Sequence, residues 1–175
     1  ARVVLVAVGD DDAAQLVGVL QHVGVVGQDE VDAGMVVVGK HQARIVEDHV
    51  VAALEGGVGS LGVATGSAAI TIAVQNIATV GDHIVSSTNL YGGTLNLFEH
   101  TLSEQGLSTT FVNPAALDAV EAAIQDNTKL LYAETLGNPN SDVLDLEAWA
   151  DIAHRHNVPL IVDATFSTPY LLRPI

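Results

Sequence analysis

The stretch NVPLIVDATFSTPY, residues 157–170, decides the architecture of this chain. An apolar run from Val158 to Val162 ends directly in Asp163, and a turn follows. Apolar runs of this length between turn signals are typical of strands buried on both faces, as in parallel sheets. A carboxylate at the tip of such a strand indicates a ligand site, because ligands of open α/β sheets bind at the carboxyl ends of the strands.

Strand and helix patterns alternate regularly from about residue 45 onward. The predicted strands are residues 82–87, 108–112, 129–134 and 159–163. The predicted helices are residues 44–57, 67–79, 92–106, 113–127 and 145–157. In the fourth helix, Asn113 is the expected cap and Pro114 the first helical residue. Short strands joined by helices predict an α/β fold with a mostly parallel sheet flanked by helices.

Residues 1–44 have a different character. They are crowded with Val and Gly, and their short strand patterns are ambiguous in period. We therefore divide the chain into this Val/Gly-rich segment and a second part, residues 45–175, that carries the α/β pattern. The composition of the first segment also fits a piece that does not belong to the fold that follows.

Composition restricts the classes of partner. The chain has 175 residues, with 21 Asp and Glu against 6 Lys and Arg, and a formal net charge of −15. That length fits about one domain. Phosphate backbones and anionic lipid surfaces repel such a charge, so we expect neither nucleic acid nor membrane as a partner. Cysteine, a membrane-spanning apolar stretch and a signal-peptide pattern are all missing, and we expect a cytoplasmic protein.

Two other site patterns are weak. Gly57, Gly59 and Gly62 match a dinucleotide-binding pattern, but that pattern must follow a strand, and here it follows a predicted helix. We therefore expect a glycine-rich loop that joins two helices. His154 and His156 lie near the end of a predicted helix without a second group of ligand-type residues, so we expect solvated histidines and no metal site.

Polar residues at the ends of successive strands form the stronger pattern. Glu134 and Asp163 end predicted strands, and Tyr91 and Asn138 follow predicted strands a few residues later. Residues at the carboxyl ends of parallel strands converge on one crevice. Upstream, the turn at 65–67 opens an apolar helix whose free backbone N–H groups suit an anion. These residues predict a pocket with an aromatic face, an amide, a carboxylate and a phosphate seat.

The chain from about residue 45 resembles the Cys/Met metabolism family of fold-type I enzymes that use pyridoxal 5′-phosphate (PLP), most closely the O-acetylhomoserine sulfhydrylases. The resemblance rests on six motifs in the family's order and spacing. They are AALEGG (52–57), ATGSAA (64–69), LYGGT (90–94), AETLGNP (133–139), IAHRHNVPLIVD (152–163) and TFSTPYLLRPI (165–175). It implies that these residues belong to the large PLP-binding domain of such an enzyme.

The resemblance also implies site roles. Gly66 and Ser67 would present backbone amides to the cofactor phosphate, and Tyr91 would stack on the pyridine ring and assist proton transfer, which makes it the candidate catalytic residue.

Three further residues would contact the same ring. Asn138 would hydrogen-bond its 3′-oxygen, Asp163 would pair with the pyridine nitrogen, and Thr165 would lie beside or behind the ring.

The reaction implied by the resemblance is γ-replacement, in which sulfide displaces acetate from O-acetyl-L-homoserine to give homocysteine. Cystathionine γ-synthase, cystathionine γ-lyase and methionine γ-lyase chemistry remain alternatives within the family. The full-length relative would be a homotetramer that acts on small amino-acid substrates.

Family members carry a Schiff-base lysine some tens of residues beyond the position of Asp163. The lysines of this chain, Lys40 and Lys129, do not lie there, and the chain ends at Ile175. We therefore expect a partial PLP-binding domain that is inactive by itself, either as a fragment or as a pseudoenzyme. A non-enzymatic remnant that binds no cofactor is the competing expectation.

Overall fold

The computed structural model describes residues 35–39, 53–55, 59–63 and 65–174. Of the predicted helix 44–57, residues 53–55 are helical and the remainder lies outside the described residues. The ambiguous strand patterns of residues 1–34 lie outside them as well.

In the part of the chain that the structure describes, six strands form two parallel sheets. They are β1 (Met35–Gly39), β2 (Gly59–Val63), β3 (His83–Ser87), β4 (Ser108–Val112), β5 (Thr128–Glu134) and β6 (Leu160–Asp163). The first two pair with each other, and the remaining four form a sheet with the order β4-β3-β5-β6. Every pairing in this larger sheet is parallel. The prediction of an α/β fold with a parallel sheet is confirmed.

Helices connect the strands. They are α1 (Gly66–Ile77), α2 (Gly92–Asn96), a π-helical segment (Leu97–Thr101), α3 (Leu102–Glu104), α4 (Leu117–Ala122), α5 (Leu146–Arg155) and α6 (Thr168–Leu171). The three segments between residues 92 and 104 follow one another directly, so the helix predicted at 92–106 is present with a wider π turn inside it. Among the described residues, no helix combines the length and apolar character needed to cross a membrane.

Apolar side chains cover both faces of the larger sheet, as the continuous apolar strands predict. On β5, Leu130 and Tyr132 point to one face, where they pack with buried residues of α1 and of the helical segments between residues 92 and 104. Leu131 and Ala133 point to the opposite face and pack with buried residues of α4 and α5. Successive strand residues point to opposite faces, so the side chain of Glu134 shares the α1 face with Tyr132.

The helix predicted at 113–127 begins later than expected. Asn113 Oδ1 accepts a hydrogen bond from the backbone N–H of Ala115 at 3.0 Å. An asparagine side chain that bonds two residues ahead closes a turn instead of capping a helix. The indole Nε1 of Trp149 also donates to the carbonyl of Pro114 at 3.0 Å, and α4 starts only at Leu117. The expected cap at Asn113 and first helical residue at Pro114 are therefore wrong.

The glycine-rich segment also differs from its prediction. Residues 59–63, expected in a loop between two helices, form β2, which pairs in parallel with β1. Gly59 and Gly62 lie inside this strand, whereas a dinucleotide-binding turn follows a strand. The loop prediction is wrong, and the described geometry does not match the dinucleotide pattern. Sequence analysis missed β2 because its pairing partner lies in the ambiguous N-terminal segment.

We expect Leu130→Ala to lower the free energy of unfolding by about 2–5 kcal/mol, because it removes buried methyl groups from a packed core. Leu171→Ala is the matched control, since Leu171 is 71% exposed, and it should change stability by less than about 0.5 kcal/mol. Urea unfolding followed by the fluorescence of Trp149, the single tryptophan of the chain, measures both. Equal effects of the two substitutions would contradict this description of the core.

Candidate functional site

A cavity of about 480 Å³ opens at the carboxyl ends of β5 and β6, beside the starts of α1 and α2. The six residues singled out from the sequence all line it: Gly66, Ser67, Tyr91, Asn138, Asp163 and Thr165. They come from four separate parts of the chain, and the parallel sheet brings them together because its carboxyl ends meet at one edge.

The start of α1 forms one wall of the cavity. Thr65 is the N-cap of this helix, and its Oγ1 accepts a hydrogen bond from the backbone N–H of Ala68 at 3.1 Å. The other N–H groups of the first turn, which includes Gly66 and Ser67, have no partner within the helix. Together with the helix dipole they make this wall electropositive, a suitable position for a phosphate.

The carboxylate of Asp163 lies at the floor of the cavity. Its side chain is only 8% exposed. Oδ1 accepts two hydrogen bonds from Thr165, one from the backbone N–H at 2.9 Å and one from the hydroxyl at 2.6 Å. The turn after β6 therefore orients the carboxylate that ends the strand.

Glu134 is a second carboxyl group in the floor. It is the register partner of Asp163 in the pairing of β5 with β6 and is 7% exposed. Burial raises the pKa of Glu134 to about 8, the backbone N–H of Tyr91 lowers it, and the negative charge of Asp163 raises it further. Glu134 is thus mainly protonated at neutral pH. The sequence placed it at a strand end without giving it a role.

Tyr91 forms the aromatic rim of the cavity. It is the N-cap residue of α2 and is 59% exposed. Its backbone N–H donates to Oε1 of Glu134 at 2.7 Å. Its ring lies over Gly93, where an added Cβ would approach Cε1 of the ring to 2.5 Å. Because Gly93 has no side chain, it leaves the space that the ring of Tyr91 occupies.

Asn138 is held in a closed turn after β5. The N–H of Gly137 donates to the carbonyl of Asp142 at 2.8 Å, and the N–H of Ser141 donates to the carbonyl of Gly137 at 2.7 Å. The peptide bond between Asn138 and Pro139 is cis. This backbone places the half-buried Asn138 amide against the cavity.

Sequence analysis missed five lining residues: Ile70, Thr94, Thr135, Leu136 and Phe166. Thr94 is buried and follows Tyr91 by three residues, so helical spacing from the tyrosine was the signal that could have found it. Thr135 follows Glu134 and donates its hydroxyl to Ser167 Oγ at 3.2 Å. Phe166 is exposed at the rim and had no distinguishing pattern.

Other candidates lie away from this cavity. His154 and His156 are exposed near the end of α5, and Nε2 of His156 is 3.0 Å from Oε1 of Glu121. Among the described residues no group of three metal-ligating side chains was found. Lys129 lies near the amino end of β5, with Nζ 3.9 Å from Oδ1 of Asp82, and therefore at the opposite edge of the sheet.

Comparisons of sequence and of structure both find O-acetylhomoserine sulfhydrylases among the relatives of this chain. The chain is 49% identical over 126 residues to the O-acetyl-L-homoserine sulfhydrylase of Corynebacterium glutamicum. These residues are 71% of this chain and 29% of the relative. A solved O-acetylhomoserine sulfhydrylase from Wolinella succinogenes has a TM-score of 0.71 and 40% identity, over 74% of this chain and 37% of that one.

A second solved structure adds a cofactor adduct. The putative O-acetylhomoserine (thiol)-lyase of Campylobacter jejuni, with N′-pyridoxyl-lysine-5′-monophosphate, has a TM-score of 0.72 and 38% identity, over 74% of this chain and 32% of that one. The chain thus spans about a third of the length of the relatives it matches.

The family model described as Cys/Met metabolism PLP-dependent enzyme matches residues 38–175. Its match begins within β1, so it includes the last two residues of that strand, all of β2 and the larger sheet. With this match over most of the chain, and relatives of the same kind in sequence and in structure, the chain belongs to the Cys/Met metabolism family of PLP-dependent enzymes.

Proposed function

We propose that the cavity binds PLP and that the full-length protein replaces the acetate of O-acetyl-L-homoserine with sulfide to give homocysteine. One observation carries the proposal: an electropositive helix start, an aromatic rim and a buried carboxylate line a single cavity. The names of the relatives from Corynebacterium and Wolinella support the choice of substrate.

The lining residues fit the three chemical parts of PLP. Its phosphate is an anion, which suits the first turn of α1 at Gly66 and Ser67. Its flat ring suits the face of an aromatic side chain such as Tyr91. Its ring nitrogen is basic and, when protonated, pairs well with a sheltered carboxylate such as Asp163. The cavity volume of about 480 Å³ is within the range of small-molecule sites.

Bound PLP supplies an electron sink for a carbanion at the α-carbon of an amino acid. The residues of this chain prepare that chemistry. Asp163, fixed by its two hydrogen bonds from Thr165, keeps a proton on the ring nitrogen. Tyr91 would cover one side of the ring against water, and its phenol is the candidate group for proton transfer. Asn138 would donate its amide N–H to the 3′-oxygen of the cofactor.

Glu134 controls the charge of the floor. Two ionised carboxylates side by side would repel each other, and the raised pKa of Glu134 keeps this group neutral at pH 7. A single negative charge then faces the ring nitrogen, and it belongs to Asp163.

The Schiff-base lysine that the family uses is not among the residues that line the described cavity. Within the part of the chain that the structure describes, Lys129 lies at the opposite edge of the sheet, and no lysine lines the cavity. We propose that these 175 residues alone bind PLP without a covalent bond and do not catalyse the reaction. The small amino-acid substrate, the homotetramer and the cytoplasmic location are likewise proposed for the full-length protein.

A substrate comparison tests the activity. Full-length protein loaded with PLP should form homocysteine from O-acetyl-L-homoserine and sulfide much faster than it converts L-methionine or cystathionine. Faster release of methanethiol from L-methionine would replace the proposal with methionine γ-lyase activity. No conversion of any of the three would remove the enzymatic proposal.

We expect Asp163→Asn to weaken PLP binding by about tenfold or more, which corresponds to about 1.4 kcal/mol, because a neutral amide cannot pair with a protonated ring nitrogen. Asp126→Asn is the matched control, since this exposed aspartate precedes β5 at the opposite edge of the sheet. Titration of each variant with PLP, followed by the visible absorption of the cofactor, gives the dissociation constants. Equal constants for both variants would place the ring nitrogen elsewhere.

The raised pKa of Glu134 predicts a pH-dependent stability. Its carboxyl binds a proton more tightly in the folded chain than in the unfolded chain, where the ordinary value is 4.5. Its contribution is therefore complete below pH 4.5 and is lost as the pH rises towards about 8. Glu134→Gln removes this titration.

The stability of the parent chain, measured relative to that of the Glu134→Gln variant, should consequently fall across this interval by up to about 1.4 kcal/mol per pH unit. Urea unfolding at stepped pH, followed by Trp149 fluorescence, measures the difference. Parallel pH profiles for the two chains would show that Glu134 titrates normally.

A further inference from the structure

We infer that Glu134 is a positioning residue that holds Tyr91 at the rim of the cavity through the hydrogen bond from the Tyr91 N–H to Oε1 of Glu134. The two atoms are 2.7 Å apart. The consequence for cofactor binding rests on the proposed function, whereas the placement of the tyrosine is a property of the chain itself.

Tyr91 needs such a contact because little else fixes it. Its ring is 59% exposed, and the two residues that follow it are glycines, which leave the backbone conformationally free. The tyrosine is the N-cap residue of α2 but makes no side-chain capping bond. Its carbonyl accepts from the N–H of Leu95 at 3.0 Å, which ties the residue to its own helix. The bond to Glu134 ties it to the sheet.

Glu134 is suited to this role by its position. It ends β5 and is the register partner of Asp163 in β6, so the pairing of these two strands holds its backbone. Groups carried on such rigid elements hold their partners more accurately than groups on loops. Its side chain is buried at the floor of the same cavity whose rim Tyr91 forms.

The chemical state of Glu134 fits the same role. The carboxyl is mainly protonated at neutral pH, because burial and Asp163 raise its pKa to about 8 against the lowering effect of the Tyr91 N–H. A neutral carboxyl still accepts a hydrogen bond through its carbonyl oxygen. Glutamine reproduces that acceptor, the shape and the neutral charge, whereas methionine has similar length and no comparable acceptor.

Fluorine NMR of the chain labelled with 3-fluorotyrosine tests the placement without cofactor. The chain has three tyrosines, and Tyr→Phe substitutions assign the resonances. Glu134→Met should shift or broaden the Tyr91 resonance, and Glu134→Gln should leave it in place. Gly93→Ala is the positive control, because its methyl group would displace the ring. Glu99→Ala, at an exposed glutamate of the π-helical segment, is the negative control.

The result that would overturn the inference is equally specific. A Tyr91 resonance that is unchanged in Glu134→Met, while Gly93→Ala moves it, would show that Glu134 does not hold the tyrosine. Equal shifts in Glu134→Met and Glu134→Gln would show that the acceptor oxygen is irrelevant. Tyr170, which is 91% exposed, should give a constant resonance throughout. Trp149 emission verifies that each variant folds, and Glu134→Ala is a second acceptor-free variant.

A double-mutant cycle with PLP tests the consequence. Glu134→Met should weaken PLP binding by about tenfold in the parent chain and by less than about twofold in a Tyr91→Ala background, because its effect passes through the tyrosine. Equal losses in both backgrounds would mean that Glu134 acts on the cofactor directly. If none of the chains binds PLP, the proposed function fails, and the fluorine spectra alone decide the role of Glu134.

Discussion

The parallel pairing of β5 with β6 is the constraint on which the site depends. Its register sets Leu131 opposite Leu160 and, three positions later, Glu134 opposite Asp163. The apolar part of this pairing is core, and the polar part is the floor of the cavity. A slip of one residue would turn each strand's side chains to the opposite face. The register of this pairing therefore aims both carboxyl groups.

That pairing creates an electrostatic conflict. Two carboxyl groups, each less than a tenth exposed, lie side by side at the strand ends. Asp163 receives two hydrogen bonds from Thr165, which favour a charged oxygen. Glu134 receives a single backbone hydrogen bond, and burial outweighs it, so its pKa rises to about 8. Of the two carboxyl groups, Glu134 is therefore the one that burial keeps mainly protonated at neutral pH.

The sequence alone predicted which residues line the cavity better than it predicted the long-range contacts between them. Asp163 and Asn138 could be placed because each follows a short apolar run, and a parallel sheet collects strand ends at one edge. The Thr65 turn could be placed because small polar residues precede an apolar helix. The hydrogen bond between Tyr91 and Glu134 could not be predicted from the sequence, because it joins residues 43 apart and depends on a register that no local pattern encodes. β2 and the delayed start of α4 were missed for the same reason, since β1 and Trp149 act on them from a distance.

The cavity divides into a buried floor and an exposed rim, and the division has a physical basis. Floor residues end strands, so the sheet ladder fixes their backbones, and burial strengthens their electrostatic interactions. Rim residues such as Tyr91 and Phe166 stand in solvent, where packing contributes little to their placement. A rim residue that must face the floor then needs a directional bond to it. Glu134 supplies that bond from the floor, and because it is mainly neutral it does so without adding a second charge beside Asp163.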